Sequence, residues 1–188
     1  KTLVNGIALA KSITLNPQKL LGITKTSSLL LVADQSSLTS TFSTGLPYIE
    51  PAWGEYAHGG EMGLQGTRPA EVLKLWLGLR QLGQKGIERL LEDAINRRSY
   101  FEKKLNSEKL TIISGPLHII SFTPKQADDS ESASWSIETR HRLLEQKFML
   151  SRPFHEYRYY LKAVFGNPHT QLTHLDKLAN LINHSVGD

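Results

Sequence analysis

Lys19 lies in the run Asn16-Pro17-Gln18-Lys19-Leu20-Leu21-Gly22, directly after a segment of β-type composition. An amine set among apolar neighbours is costly to charge, which lowers its pKa. In the neutral form it can attack a carbonyl carbon and form a Schiff base. An ordinary surface lysine is the plainer alternative from composition alone. His58 and Glu61, in His58-Gly59-Gly60-Glu61, are two potential metal ligands without a supporting cluster, so no metal site is expected. The chain has no cysteine. That excludes thiolate nucleophiles, thiolate metal sites and disulfide scaffolds, and it fits a reducing compartment, for which we expect the cytoplasm.

The 188 residues carry 22 Lys and Arg against 18 Asp and Glu, a net charge of +4. The basic residues are scattered singly or in pairs such as Arg97-Arg98, with no interleaved aromatics to stack on bases. A basic surface without a nucleic-acid partner is the expectation. No apolar run approaches the ~20 residues that span a bilayer, so no membrane partner is expected either.

Several elements must position these groups. Ser12 to Leu15 reads as a short strand that Asn16-Pro17 breaks, and Leu29-Leu30-Leu31-Val32 as a strand covered on both faces. Residues 34–66, rich in Ser, Thr, Gly and Pro, read as one long functional loop. Arg68-Pro69 opens a helix whose stripe is Val72, Leu73, Trp76, Leu79 and Leu82. Gly83 and Gly86 punctuate it, and a second helical pattern runs from Ile87 to Leu105. Both stripes are expected to be core faces. Strands follow at Leu110 to Ile113 and Leu117 to Phe122, then a surface loop over 125–135 and a helix from Glu138 to Phe148. Tyr157 to Phe165 reads as a strand stopped by Asn167-Pro168, and Thr170 as the cap of a last helix with the stripe Leu172, Leu175, Leu178 and Ile182.

Three blocks, in order, carry a resemblance. They are Ser12-Ile13-Thr14-Leu15-Asn16-Pro17-Gln18-Lys19 followed by Leu29-Leu30-Leu31-Val32; Leu64-Gln65-Gly66-Thr67-Arg68 followed by Leu73-Lys74-Leu75-Trp76-Leu77; and Tyr159-Tyr160-Leu161-Lys162-Ala163-Val164 followed by Asn167-Pro168. Together they resemble the group II pyridoxal-phosphate-dependent amino-acid decarboxylases, over nearly the whole chain. The resemblance implies an α/β protein of fold type I, with pyridoxal 5′-phosphate as cofactor, an amino-acid substrate and a homodimer. It makes Lys19 the Schiff-base lysine and places Asn16 near the cofactor phosphate. Gln18 stands where most relatives have His; it can still hydrogen bond but does not titrate near neutral pH. Lys162 stands where the family has an Arg that holds the substrate α-carboxylate; the charge is kept and the bidentate fork is lost. Gly66 and Thr67 match a loop that in relatives reaches the neighbouring subunit's active site. The 34–66 segment matches a mobile loop that often carries a proton-donating Tyr, with Tyr48 and Tyr56 the local candidates and Tyr56 the one assigned.

The family's Asp beside the pyridine nitrogen precedes the lysine motif, yet the first acidic residue here is Asp34. The chain begins with Lys1 and has Met only at positions 62 and 149. We therefore expect the C-terminal portion of a longer enzyme, inactive by itself. Residues 1–106 would end the large cofactor domain and 107–188 would form the small α+β domain. Another fold-type-I enzyme such as an aminotransferase, or a non-catalytic interaction protein derived from the fold, are the alternatives.

Overall fold

The computed structural model describes residues 4–25, 27–49 and 58–187. Helices and strands are mixed along the chain, in two compact units, Lys1–Leu82 and Gly83–Asp188.

In the first unit, β1 (Ser12–Leu15) and β2 (Leu29–Val32) pair antiparallel, Ser12 opposite Val32 and Leu15 opposite Leu29. Both strands lie where the sequence places them. Leu30 and Leu31 are exposed, however, so the expected cover on both faces of β2 is not provided within these residues. The 34–66 segment is not structureless. Asp34 accepts from both the amide and the hydroxyl of Ser36, which starts α1 (Ser36–Phe42). Two 3₁₀ turns follow, at Pro47–Ile49 and Gly59–Met62. Helix α2 (Val72–Lys104) begins three residues after Pro69, not at it, and is interrupted at Gly83, whose φ of 61° and ψ of 177° only glycine adopts readily. That break is where the sequence puts the first punctuation. The stripe ahead of it is not a core face here: Val72 (67%) and Trp76 (56%) are exposed, and only Leu75 is buried.

The second unit has a core of its own. Strands β3 (Leu110–Ser114), β4 (Ile119–Pro124) and β7 (Leu161–Val164) form an antiparallel sheet in the order β3-β4-β7. Alternation sends Ile120, Phe122, Leu161 and Ala163 into the core, against Phe101 and Leu105 of α2 and Leu175, Leu178 and Ile182 of α4 (Leu172–Ser185). Each fully buried Phe, Leu or Ile contributes about 1.5–3 kcal/mol. Asn183 closes the end of α2, donating to the Lys104 carbonyl at 2.9 Å and accepting from the Asn106 amide at 2.9 Å.

Residues 125–135, expected as a loop, instead contain the start of α3 (Asp129–Glu145). Its capping box is complete: Asp128 accepts from the Glu131 amide at 2.8 Å, and Glu131 accepts from the Asp128 amide at 3.1 Å. The expected strand from Tyr157 to Phe165 is split. Arg158–Tyr159 (β6) pairs with Phe154–His155 (β5) as a hairpin, and β7 begins at Leu161. Gln171 rather than Thr170 caps α4.

Candidate active site

The site residues of the first unit sit on a tight turn after β1. Pro17 fixes the backbone and is fully buried. The Lys19 amide donates to the Asn16 carbonyl at 3.0 Å, Gly22 to the Lys19 carbonyl at 3.2 Å, and Ile23 to the Pro17 carbonyl at 3.2 Å. Gly22 takes φ 66°, which lets the chain double back. Lys19 is exposed in this double turn, as are Asn16 and Gly22, while Leu20 and Leu21 are half-buried. No carboxylate lies within ion-pair distance of its amine among the described residues.

Two side chains bind this turn to the start of β2. Asn16 Oδ1 accepts from the Ser28 hydroxyl at 2.6 Å, and Gln18 Oε1 accepts from the Ser27 amide at 2.9 Å. Both bonds use the oxygen, and neither side-chain NH₂ donates to a partner among the described residues. Gln18, Ser27, Ser28 and Leu29 form one wall of a cleft of about 460 Å³; Gln65, Arg68, Pro69, Glu71, Val72 and Leu75 form the other. The structure thus brings Gln18 to the segment that contains Gly66 and Thr67, both exposed. Ser27, Ser28 and Arg68 also line this cleft, which residue types alone do not reveal. The one signal for the serines was their position directly ahead of an apolar strand.

The far wall is held in place from behind. The Arg68 guanidinium donates to the Gly59 carbonyl at 2.5 Å. Gly60 is buried, and a Cβ there would lie 3.3 Å from Gly66 Cα, so the 59–62 turn packs directly on the Gly66 backbone. Lys74 pairs with Glu71 and donates to the Lys25 carbonyl at 2.9 Å.

His58 and Glu61 are both engaged by neighbours within the loop. His58 Nδ1 accepts from the Gly60 amide at 3.0 Å. Glu61 accepts from the Ser43 hydroxyl and, at 2.7 Å each, from the amide and hydroxyl of Thr44. These bonds hold its carboxyl below the ordinary carboxylate range, and Ser36 does the same for Asp34. Tyr48 is exposed on its 3₁₀ turn. Tyr56 lies outside the described residues.

Lys162 belongs to the second unit. It is half-buried on β7, opposite Ser121 of β4 on one side and opposite Ser151 on the other. Its amide donates to the Ser151 carbonyl at 2.8 Å.

Comparison with known proteins identifies the lineage. The family described as "Pyridoxal-dependent decarboxylase conserved domain" matches residues 1–121. Among solved structures, Oryza sativa TDC with PLP and tryptamine superposes with a TM-score of 0.86 at 19% identity, over 97% of this chain and 40% of that one. Mouse CSAD in apo form gives 0.77 at 23% identity, over 96% and 41%. Catharanthus roseus tryptophan decarboxylase in complex with L-tryptophan gives 0.80 at 18% identity, over 96% and 38%. The fold is that of a pyridoxal-phosphate-dependent enzyme of type I, and this chain spans about 40% of the length of the first of these solved relatives. The chain belongs to the pyridoxal-dependent decarboxylase family.

Proposed function

We propose that this chain is the C-terminal part of a pyridoxal-phosphate-dependent L-amino-acid decarboxylase, releasing CO₂ from the α-carbon and leaving an amine. The observation that carries the reading is that the matched family segment contains the Asn16–Lys19 turn, which presents an exposed primary amine without a carboxylate partner among the described residues. The residues present suit the cofactor at two points. An unpaired amine suits its aldehyde, and the NH₂ of Asn16, which donates to no partner among the described residues, suits its phosphate. The carboxylate that would face the ring nitrogen is not among residues 1–33.

When bound, pyridoxal phosphate supplies the electron sink for the pair left by departing CO₂. Lys19 would hold the cofactor through its amine. Lys162 attracts the substrate α-carboxylate. Gln18, with Gly66 and Thr67, borders the cofactor, the latter two from the neighbouring subunit. Tyr56 returns a proton to the α-carbon. The exposed Leu30, Leu31, Val72 and Trp76 of the first unit would be covered by the rest of the large domain. The active form is a cytoplasmic homodimer of the longer polypeptide. No described helix is long and apolar enough to cross a membrane.

The test uses the full-length protein that contains this chain. Pyridoxal phosphate should produce an absorbance band that Lys19→Ala abolishes, and borohydride reduction should fix the cofactor mass on the peptide carrying Lys19. Quantified CO₂ from a panel of amino acids then separates decarboxylation from amino transfer. Cofactor fixed to another lysine, or none fixed, overturns the proposal.

A further inference from the structure

The cross-strand register of the small sheet builds a row of polar groups around Lys162. Ile113, Ser121, Lys162 and Ser151 are successive partners across β3, β4, β7 and the adjoining bridge. Partners in register share one face, about 5 Å apart between Cβ atoms. The alternate row, Phe122 and Leu161, is fully buried in the core, so the lysine row faces the other way.

The surroundings of that row are specific. One row along, Ile119 and Val164 are paired and exposed, as is Ile113. On the other side the face is closed by the β5–β6 hairpin. The Thr123 hydroxyl donates to the Tyr159 carbonyl at 2.8 Å there, and Tyr160 is buried. Lys162 is therefore a half-buried cation at the edge of an apolar margin, with a serine on either side. Among the described residues no carboxylate pairs with it, and no hydrogen bond engages its ammonium or either serine hydroxyl.

An ammonium is a point charge with three donors and no fixed fork, so alone it attracts a carboxylate without orienting it. Hydroxyl donors on both sides supply the missing direction. We propose that Ser121 and Ser151 are positioning residues that, with Lys162, form a three-point cradle for the substrate carboxylate. This rests on the decarboxylase reading and deepens it, since a planar guanidinium would supply two of those donors by itself. The preferred occupant is a single carboxylate with an apolar flank, not a phosphate.

Two readouts test the cradle in the full-length protein. The first is protection of Lys162 from N-hydroxysuccinimidyl acetate by propionate, read by peptide mass spectrometry. The half-protecting concentration should rise about tenfold or more in Ser121→Ala and in Ser151→Ala, as one hydrogen bond to a charged group is lost in each. Ser→Thr at either position keeps the hydroxyl and should retain protection. Inorganic phosphate should protect less well than propionate. The second readout is KM for the amino acid that releases CO₂ fastest. It should rise in S121A/S151A, and K162R in that background should restore it, because the guanidinium brings its own second donor.

The outcomes are separable. If Lys162→Met leaves KM unchanged, the carboxylate role of Lys162 fails, and the cradle with it. If Lys162→Met abolishes binding while S121A/S151A is silent in both readouts, only the cradle fails. Equal protection by phosphate and propionate also overturns it.

Discussion

Gln18 Oε1 accepts the hydrogen bond of the Ser27 backbone amide at 2.9 Å, and Ser27 is buried. This bond spans the loop between β1 and β2 and sets the lysine turn against the strand entry. Removing the acceptor leaves a buried N–H unpaired, which costs about 1–3 kcal/mol. Gln18→Ala should therefore destabilise the full-length protein by that amount, read as a lower urea midpoint at unchanged slope. Gln18→Glu keeps an acceptor and should stay near the parent at neutral pH. An unchanged midpoint for the alanine variant would show that the bond holds nothing in place.

Ile23 and Gly78 are tied more tightly still. A Cβ on Gly78 would lie 2.2 Å from Ile23 Cδ1, and Ile23 is one of the few buried residues of the first unit. Gly→Ala inside a helix ordinarily stabilises by about 0.5–1 kcal/mol. Here the methyl collides with a packed side chain, so Gly78→Ala should destabilise. Ile23→Val deletes the colliding carbon, and in that background Gly78→Ala should stabilise. A double-mutant cycle on unfolding free energies measures the reversal. Additive effects would mean that the two residues do not touch.

The sequence showed some of this architecture clearly and hid the rest for physical reasons. β1, β2 and the Asn16–Lys19 turn were legible because apolar runs and Asn-Pro punctuation are local signals. The start of α3 was not, although Asp128 and Glu131 spell a capping box. Its buried residues are Ser132, Ser136 and Thr139 before Leu143, which leaves no apolar stripe to count over its first turns. The two serine hydroxyls are satisfied by partners: Ser132 accepts from the Tyr159 amide at 3.1 Å, and Ser136 from Arg152 Nε at 2.7 Å. Those partners lie 16 residues or more away in sequence. The apolar stripe of Val72 and Trp76 misled in the opposite sense: periodicity reports that a face is to be covered, not what covers it. Of the candidate site, Lys19 and Lys162 are put forward by the family resemblance, not by residue type alone. The serines around each depend on strand register, which single-residue patterns do not encode.

The β5–β6 hairpin turns through Glu156 and Tyr157, at φ 46° and 59°. A two-residue turn with both φ values positive favours Asn-Gly, and each L-residue with a bulky side chain costs roughly 1–2 kcal/mol in this region. Tyr157 is 83% exposed, so little packing offsets that cost. E156N/Y157G should raise stability by about 1 kcal/mol or more, seen as a higher urea midpoint with an unchanged slope. A lower midpoint would mean that the Tyr157 side chain contributes contacts elsewhere in the full-length protein.

Glu61 joins two parts of the long segment, pinning Ser43 and Thr44 to the 59–62 turn. Its pKa is lowered from an ordinary value of 4.5, chiefly by the Ser43 and Thr44 hydroxyls. A carboxylate with a depressed folded pKa stabilises fully above its unfolded value, and the contribution is lost as pH falls through the folded one. The clasp should hold at neutral pH and open in acid, below 4.5. The Thr44 amide donates directly to Glu61, so its hydrogen-exchange protection factor, corrected for intrinsic rate, should be flat near neutrality and fall across that window. Glu61→Gln keeps an acceptor oxygen but not the charge. It should lower protection at neutral pH and remove the acid step. The same acid step in the glutamine variant would assign the titration to another group, with Asp34, whose carboxyl is held low by Ser36, the first to examine.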